Sequence, residues 1–380
     1  MRIVLLGAAY PYRGGIAHFT ETLYRKLVAR GNDVWVVTFT RQYPSFLFPG
    51  TSQLENVTPA DPVPSVRLLD TLAPASWFRT ARWIAAQKPD LVLARFWMPF
   101  FAPSLGTVCK RLRKRGVRVA ALVDNAIPHE RRPGDRALTR FFLRQCDAFI
   151  VLSETVERDL LALRPGARCV RLYHPVYDLF GEAEDRGAAR RGLELRDDEN
   201  VLLFFGTIRK YMGLDTLLDA LPEVLREIQV TLVVAGEFYG DEERVREKVR
   251  RLGIEGAVRM SGAYVPTSEV PRFFAAANVV VQPYVCATQS GVAQVAYHFG
   301  RPLIVTNVGG LGEVVPNGVA GLVVPPEDPP ALARAIVGFF REKLEAPLTE
   351  GVIRERKKYA WEPLCEAVEG LADSATGTAL

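Results

Sequence analysis

The sequence predicts an α/β protein of two Rossmann-like domains, each a doubly wound parallel sheet, facing a cleft. Short apolar runs such as Ile3-Val4-Leu5-Leu6, Leu91-Val92-Leu93-Ala94 and Val279-Val280-Val281 alternate with segments whose apolar residues recur at helical spacing. Strands joined in series by helical crossovers leave a parallel sheet as the natural solution. The pattern also breaks at a polar, Gly- and Arg-rich stretch and restarts at Val201, and 380 residues is long for one core.

Taken in order, Ile3 to Gly7 is the first buried strand, and the loop after it ends in Arg13-Gly14-Gly15. A helix follows with Ile16, Phe19, Leu23 and Leu27 on one face, closing near Gly31. Asp33 to Phe39 is the second strand. The Pro-rich region Tyr43 to Pro74 lacks periodicity and predicts a long loop with short strands in it. Helix Trp77–Gln87, strand Leu91–Phe96, helix Pro103–Arg115, strand Arg118–Val123, helix Arg136–Gln145, strand Ala148–Leu152, helix Thr155–Leu163 and strand Cys169–Tyr173 complete a first domain over 1–175.

Residues 176–198 are the expected linker, and 199–350 the second domain. Its strands are Val201–Phe205, Thr231–Ala235, Val258–Ser261, Val279–Gln282, Leu303–Thr306 and Leu322–Val324. Helices run Leu214–Ile228, Glu242–Leu252, Ser268–Ala276, from Ser290, and from Asp328 to Glu342. A last helix near Trp361–Leu371 and a frayed polar tail fall within 351–380.

Composition narrows the class. Apolar residues make up 48% and mean hydropathy is +0.05, with no run near the roughly 20 residues of a membrane-spanning helix. Met1-Arg2 leads straight into a strand, so neither a signal peptide nor a spanning segment is expected, and the expected location is cytoplasmic. Five widely spaced cysteines without a CxxC pair predict reduced, buried thiols and no metal site. Residues 1–180 hold 26 Lys and Arg against 14 Asp and Glu; the rest hold 22 against 29. The excess lies in Lys110-Arg111-Leu112-Arg113-Lys114-Arg115 and in Arg131, Arg132, Arg136, Arg140 and Arg144. Such a face could meet anionic lipid, a polyanionic acceptor or nucleic acid, and the first of these would place the protein at the inner face of a membrane; Lys110 to Arg115 could equally be the solvated end of a helix.

The residues that suggest chemistry sit at strand ends. Val279–Gln282 leads into Thr288-Gln289-Ser290-Gly291, which opens a helix, and Leu303–Thr306 ends at Gly309-Gly310 ahead of Glu313. Free amides at the start of the Ser290-Gly291 helix suit a phosphate, although an ordinary Ser290 cap explains the same residues. Arg209 and Lys210, in the turn after Val201–Phe205, are placed to neutralise a diphosphate. Gly236-Glu237 forms a tight turn beside that ligand. In the first domain, Gly14-Gly15 permits close backbone approach, but the sequence GAAYPYRGG (7–15) lacks the G-x-G-x-x-G dinucleotide fingerprint. Asp124, His129 and Glu130 form the densest acid/base group and are the candidate catalytic residues. His18 could face the ligand or the surface, while His174 and His298 are expected to be structural.

The order of the Gly-Gly loop, the basic turn before GLDTLLDAL (213–221), VVAGE (233–237), GRPLIVTNVGGLGEVV (300–315) and VAGLVVPPEDP (319–329) resembles the retaining glycosyltransferases of family 4. The resemblance implies the GT-B fold and transfer of a sugar from a nucleotide-sugar to a glycan, lipid-linked or small-molecule acceptor with retained configuration. It implies no metal, no other cofactor and no nucleic acid partner. Trp361 is similar to a family residue near a last helix that crosses back to the first domain. The implied donor-binding residues are Gly14, Gly15, Arg209, Lys210, Gly236, Glu237, Thr288, Gln289, Ser290, Gly291, Gln294 and Glu313.

The chain departs from the family pattern at three points. The usual glutamate pair falls at Ala287 and Val295, or at Cys286 and Gln294 in the neighbouring register, and neither supplies a carboxylate. The chain resembles a subset with Thr-Gln-Ser-Gly in this loop, which would hold donor hydroxyls through Gln289 and Gln294. The usual Lys before the glycine of the basic turn is Met212, and the usual strand-end His is Asp124. Two other readings stay open: a catalytically weak scaffold that binds a nucleotide or sugar, and a sugar-nucleotide epimerase on the same fold.

Overall fold

The computed structural model describes residues 1–44, 48, 52–55, 61–128, 132–177, 179–240, 242–288 and 290–373. The chain divides into two compact units, Met1–Pro175 with Ala360–Leu380, and Val176–Tyr359.

The first unit carries β1 (Arg2–Leu6), α1 (Gly15–Ala29), β2 (Asp33–Arg41), β3 (Ser65–Asp70), α2 (Pro74–Ala86), β4 (Leu91–Phe96), α3 (Ala102–Arg113), β5 (Val119–Val123), α4 (Asp135–Leu143), β6 (Ala148–Val151), α5 (Glu154–Leu163) and β7 (Cys169–Arg171). Its seven strands lie in the order β3-β2-β1-β4-β5-β6-β7, all parallel. Central strands β4 and β5 are buried along their whole length, which is why they read as unbroken apolar runs. The aperiodic Tyr43–Pro74 region contributes β3, an edge strand paired with β2 through an irregular register. With β3 counted, Asp124 follows the fifth strand.

The second unit carries α6 (Arg186–Gly192), β8 (Val201–Phe205), α7 (Leu214–Glu227), β9 (Thr231–Ala235), α8 (Glu242–Leu252), β10 (Val258–Ser261), α9 (Val270–Ala276), β11 (Val279–Gln282), α10 (Gly291–His298), β12 (Leu303–Thr306), α11 (Leu311–Val314), β13 (Gly321–Val324), α12 (Pro329–Arg341) and α13 (Glu345–Glu355). Its six strands lie in the order β10-β9-β8-β11-β12-β13, again all parallel. Two elements were not expected. Helix α6 lies inside the stretch read as a linker: Asp185 caps it, and buried Arg190 donates to the Ala276 carbonyl (3.1 Å) and to Asn278 Oδ1 (3.0 Å). Helix α13 follows α12 almost directly.

The last helix, α14 (Glu362–Ala372), belongs to the first unit. Trp361 at its start packs on Phe19 of α1 with ring centroids 4.9 Å apart. Glu369 accepts from Arg30 (Nη2 to Oε2, 2.8 Å) and from Asn32 (Nδ2 to Oε1, 2.7 Å), and the Arg30 guanidinium holds its carboxyl below the usual glutamate range. The tail beyond Asp373 lies outside the described residues. Cys109, Cys146 and Cys365 are buried free thiols, whereas Cys169 and Cys286 are half-exposed. Among the described residues no helix is long and apolar enough to cross a membrane.

Candidate functional site

Each sheet starts at its centre, grows to one side and then to the other, so its direction of growth reverses between β8 and β11 in the second unit and between β1 and β4 in the first. The loops that leave the carboxyl ends of such a strand pair diverge, and ligands of open α/β sheets bind in the crevice this opens.

In the second unit the two loops are the basic turn and the approach to α10. The basic turn is fastened on both sides. Toward β9, the Ile208 amide donates to the Glu237 carbonyl (2.8 Å) and the Tyr239 amide donates to the Ile208 carbonyl (2.9 Å). Gly236 has φ 141°, and a Cβ there would collide with the Gly206 carbonyl, so only glycine lets these backbones touch. Toward β11, the Val285 amide donates to the Tyr211 carbonyl (2.8 Å), and a Cβ on Gly213 would strike the Pro283 carbonyl. The turn thus has little freedom. Half-buried Arg209 lays its guanidinium over the Tyr239 ring, 4.8 Å from the centroid, and Lys210 beside it is exposed.

Helix α10 begins next to that turn. Buried Ser290 caps it by accepting from the Ala293 amide (3.2 Å), as the ordinary-cap alternative expected, and lies 3.4 Å from the Tyr284 hydroxyl. The cap engages one amide and leaves those of Gly291 and Val292 at the positive end of the helix. Tyr284 is anchored in turn: Thr306 donates to its carbonyl (2.6 Å), and burial pushes its phenol well above the ordinary range. Thr288 is buried, and its carbonyl accepts from the Gly310 amide (3.2 Å), while a Cβ on Gly309 would collide with the Ala287 carbonyl. The Gly309-Gly310 backbone therefore fastens this loop. Glu313, implied as a donor-binding residue, is exposed on α11, and its side chain makes no hydrogen bond or ion pair among the described residues. Gln289 lies outside the described residues.

Gln294, one turn into α10, is 0% exposed, and neither its Oε1 nor its Nε2 has a hydrogen-bond partner among the described residues. Gln282, the last residue of β11, is 2% exposed and its amide likewise has no partner among the described residues. Buried amides are rarely left so. Gln282 was missed in the sequence because it closes an otherwise apolar strand; a polar side chain ending a run of three valines was the available signal.

In the first unit, Gly14 (φ 97°) opens α1, and nothing lies within 4 Å of where its Cβ would be. Gly15 is exposed at the first position of α1. Asp124 is bound to Arg95 of β4 through two contacts, Nε to Oδ2 (2.8 Å) and Nη2 to Oδ1 (2.9 Å), with both side chains buried. Arg95 also donates to the Ile16 carbonyl (3.1 Å) and lies 4.0 Å over Phe19. Phe19 meets buried His174 edge-on at 5.2 Å. Desolvation pushes the imidazoles of His18 and His174 down to about 4, so both are neutral at pH 7. His298 bonds the Gly181 carbonyl (2.7 Å). His129 and Glu130 lie outside the described residues, so of the acid/base group only Asp124 is placed. Arg95 was missed because it too sits inside a buried strand.

Residues 13–178 match the Glycosyltransferase Family 4 model, and residues 199–342 match the Glycosyl transferases group 1 model. A D-inositol 3-phosphate glycosyltransferase of Acidothermus cellulolyticus is 26% identical over 393 residues, which span 94% of this chain and 85% of that protein. The fold is shared with a sucrose-phosphate synthase from Thermosynechococcus elongatus (TM-score 0.76, 20% identity, 98% of each chain). It is shared as well with Anabaena HepE, solved in complex with UDP-glucose (TM-score 0.74, 17% identity, 97% of this chain and 98% of that one). With a parallel α/β sheet in each unit, the architecture is the two-Rossmann GT-B fold, and the two models match most of both units: the chain belongs to the family 4/group 1 glycosyltransferases.

Proposed function

We propose that this glycosyltransferase takes its sugar from a nucleotide-sugar and transfers it with retention of anomeric configuration. The observation that carries the donor class is the meeting of the Arg209-Lys210 turn with the amino end of α10 at the β8/β11 switch point. Two cations and the Gly291 and Val292 amides there suit a diphosphate, whose charge grows as the bond to the sugar breaks. Fixed donors aimed at that developing charge lower the barrier without reorganising, so leaving-group stabilisation is the main catalytic term proposed, with no step assigned to a metal. Gln294 is proposed to meet donor hydroxyls by neutral hydrogen bonds, which its unpartnered amide supports. In the first unit, Asp124 keeps the proposed acid/base role, oriented by Arg95.

The UDP-glucose complex of HepE supports a uridine diphosphate sugar as the first donor to try, and the inositol-phosphate relatives make D-inositol 3-phosphate the first acceptor. A second reading, a nucleotide-binding scaffold without turnover, is favoured by the absence of a carboxylate at Cys286 or Ala287 and at Gln294 or Val295. Incubation of the purified protein with a donor and acceptor panel, with the anomeric configuration of the product read by NMR, separates these readings. Retained product supports the proposal. Inverted product removes retention, and nucleotide binding with neither transfer nor donor hydrolysis leaves the scaffold.

A further inference from the structure

The first unit has a cavity of about 710 Å³ at the end of its sheet opposite the strand ends described above. Leu91, Val119 and Ala148, the first residues of β4, β5 and β6, lie on its wall. Strand β5 is five residues long, which at about 3.3 Å per residue puts Val119 roughly 15 Å from Asp124.

The charged residues of the wall divide into two groups. Arg113 is committed to Asp147 (Nε to Oδ1, 2.7 Å) and to the Arg144 carbonyl (3.1 Å); Asp147 also accepts from the Val119 amide (3.0 Å). Arg118 donates to the carbonyls of Leu371 and Asp373, both at 2.9 Å, and so closes one side with the end of α14. Lys110, Lys114 and Arg168 are different. They line the same cavity, are exposed, and their side chains make no ion pair or hydrogen bond among the described residues. Lys110 and Lys114 sit at the end of α3, where cations offset a helix dipole of about half a charge. That accounts for part of one lysine, and it does not account for Arg168, which comes from the turn before β7.

We propose that this cavity is a second anion site, which takes a phosphate or diphosphate group through Lys110, Lys114 and Arg168. Five cations and the carboxylates of Asp147 and Asp373 line the wall, a net charge of +3; Arg113 and Arg118 shape it, and Lys110, Lys114 and Arg168 are the cations whose side chains are left to meet an anion. Two ammoniums and a guanidinium suit the several oxygens of a phosphate ester, with the guanidinium offering a planar pair of donors. The ester could be carried by a soluble molecule or by a lipid headgroup. In either case it binds at the opposite end of the sheet from Gly14 and Asp124.

Hydrogen exchange of the full chain with inorganic pyrophosphate tests the soluble source, and exchange with phosphatidylcholine vesicles containing phosphatidic acid tests the lipid source. Protection over residues 110–118 and 165–169 is expected with at least one of them. The affinity should fall about tenfold or more in Lys110→Gln/Lys114→Gln/Arg168→Gln. It should stay within about twofold in Arg115→Gln/Arg136→Gln/Arg140→Gln, which removes the same charge outside the cavity. Arg168→Gln alone, remote from α3, should weaken binding in the same direction. Protection by pyrophosphate or by vesicles alone supports the site and names the source. Equal loss in the two triple variants would mean a diffuse basic face and overturn the proposal, as would no protection of these segments by either probe.

Discussion

Arg95 holds Asp124 through both Nε and Nη2, at 2.8 and 2.9 Å, with the two side chains buried at neighbouring strand ends. Fixed in this way, Asp124 is an oriented carboxylate. Removing one partner strands a buried charge, whereas removing both removes the demand. Asp124→Leu or Arg95→Met alone should lose about 3–5 kcal/mol in denaturant melts, and the double variant should recover most of it. If Asp124 has an acid/base role, the double variant folds but transfers no sugar. Full transfer by a stable double variant would confine the pair to structure.

Arg209 should act on phosphate rather than on the nucleoside. Its place over Tyr239 fixes the guanidinium without engaging a carboxylate among the described residues. Arg209→Ala should weaken nucleoside diphosphate binding by about 1.5–3 kcal/mol, the range for a hydrogen bond to a charged group, and should barely change nucleoside binding. Calorimetry with UDP and uridine gives both numbers. Equal loss for the two would remove Arg209 from the phosphate site.

Gly309 lets the loop after β12 touch the loop before α10. A side chain there would collide with the Ala287 carbonyl and would also have to adopt φ 49°. Gly309→Ala should therefore displace the Thr288 loop, costing about 1–3 kcal/mol of stability and weakening donor binding. Gly14→Ala is the contrast: its φ of 97° is strained, but nothing lies within 4 Å, so a loss of stability without a collision is expected. Thermal melts of the two variants with and without UDP separate them.

Two histidines tie stability to pH. Burial pushes His18 and His174 down to about 4, while in the unfolded chain each titrates near its ordinary 6.5. Between those values the unfolded state binds more protons, so stability is complete above about pH 6.5 and falls as pH drops toward 4. Around His174 stand Arg95, which adds to the downward shift, and Asp124, which opposes it. His174→Gln should flatten the pH dependence of the melting temperature in this window. An unchanged slope in that variant would assign the dependence to other groups.

Much of the fold was legible because its central strands are buried on both faces. Val201–Phe205, Thr231–Ala235, Val279–Gln282 and Leu303–Thr306 fall where the apolar runs place them. Helices α6 and α13 were not expected, and β3 was expected only as one of the short strands within Tyr43–Pro74, for separate reasons. Only Leu69 in edge strand β3 is buried, so it gives little apolar pattern. Helix α6 owes its position to Arg190, whose tertiary hydrogen bonds make a polar residue a buried one. Helix α13 buries Leu348, Gly351, Val352 and Glu355, a face with too few apolar side chains to register as periodic, and Pro347 lies within it. The candidate site shows the same division. Arg209, Lys210, Ser290 and the paired glycines were visible as motif residues in turns. Arg95 and Gln282 were not, because a polar residue within a buried strand has no local signature; its meaning comes from the neighbour it meets.

Gln294 sets stability against binding. Its amide is 0% exposed and has no partner among the described residues on either Oε1 or Nε2, at the helix position where the family pattern has a carboxylate in one register. A buried polar group without a partner costs about 1–3 kcal/mol, and an apolar side chain of similar length removes that cost. Gln294→Met should therefore raise the melting temperature of the protein alone, because methionine keeps the volume and adapts to the cavity. If the amide serves donor hydroxyls, the same substitution weakens UDP-glucose while leaving inorganic pyrophosphate unaffected. Gln282→Met, at the end of the neighbouring strand, separates packing from recognition: equal stabilisation with donor binding intact would set Gln294 apart as the residue that reads the donor. A Gln294→Met variant that is more stable and binds UDP-glucose as tightly as before would make the glutamine a tolerated core residue and remove it from the site.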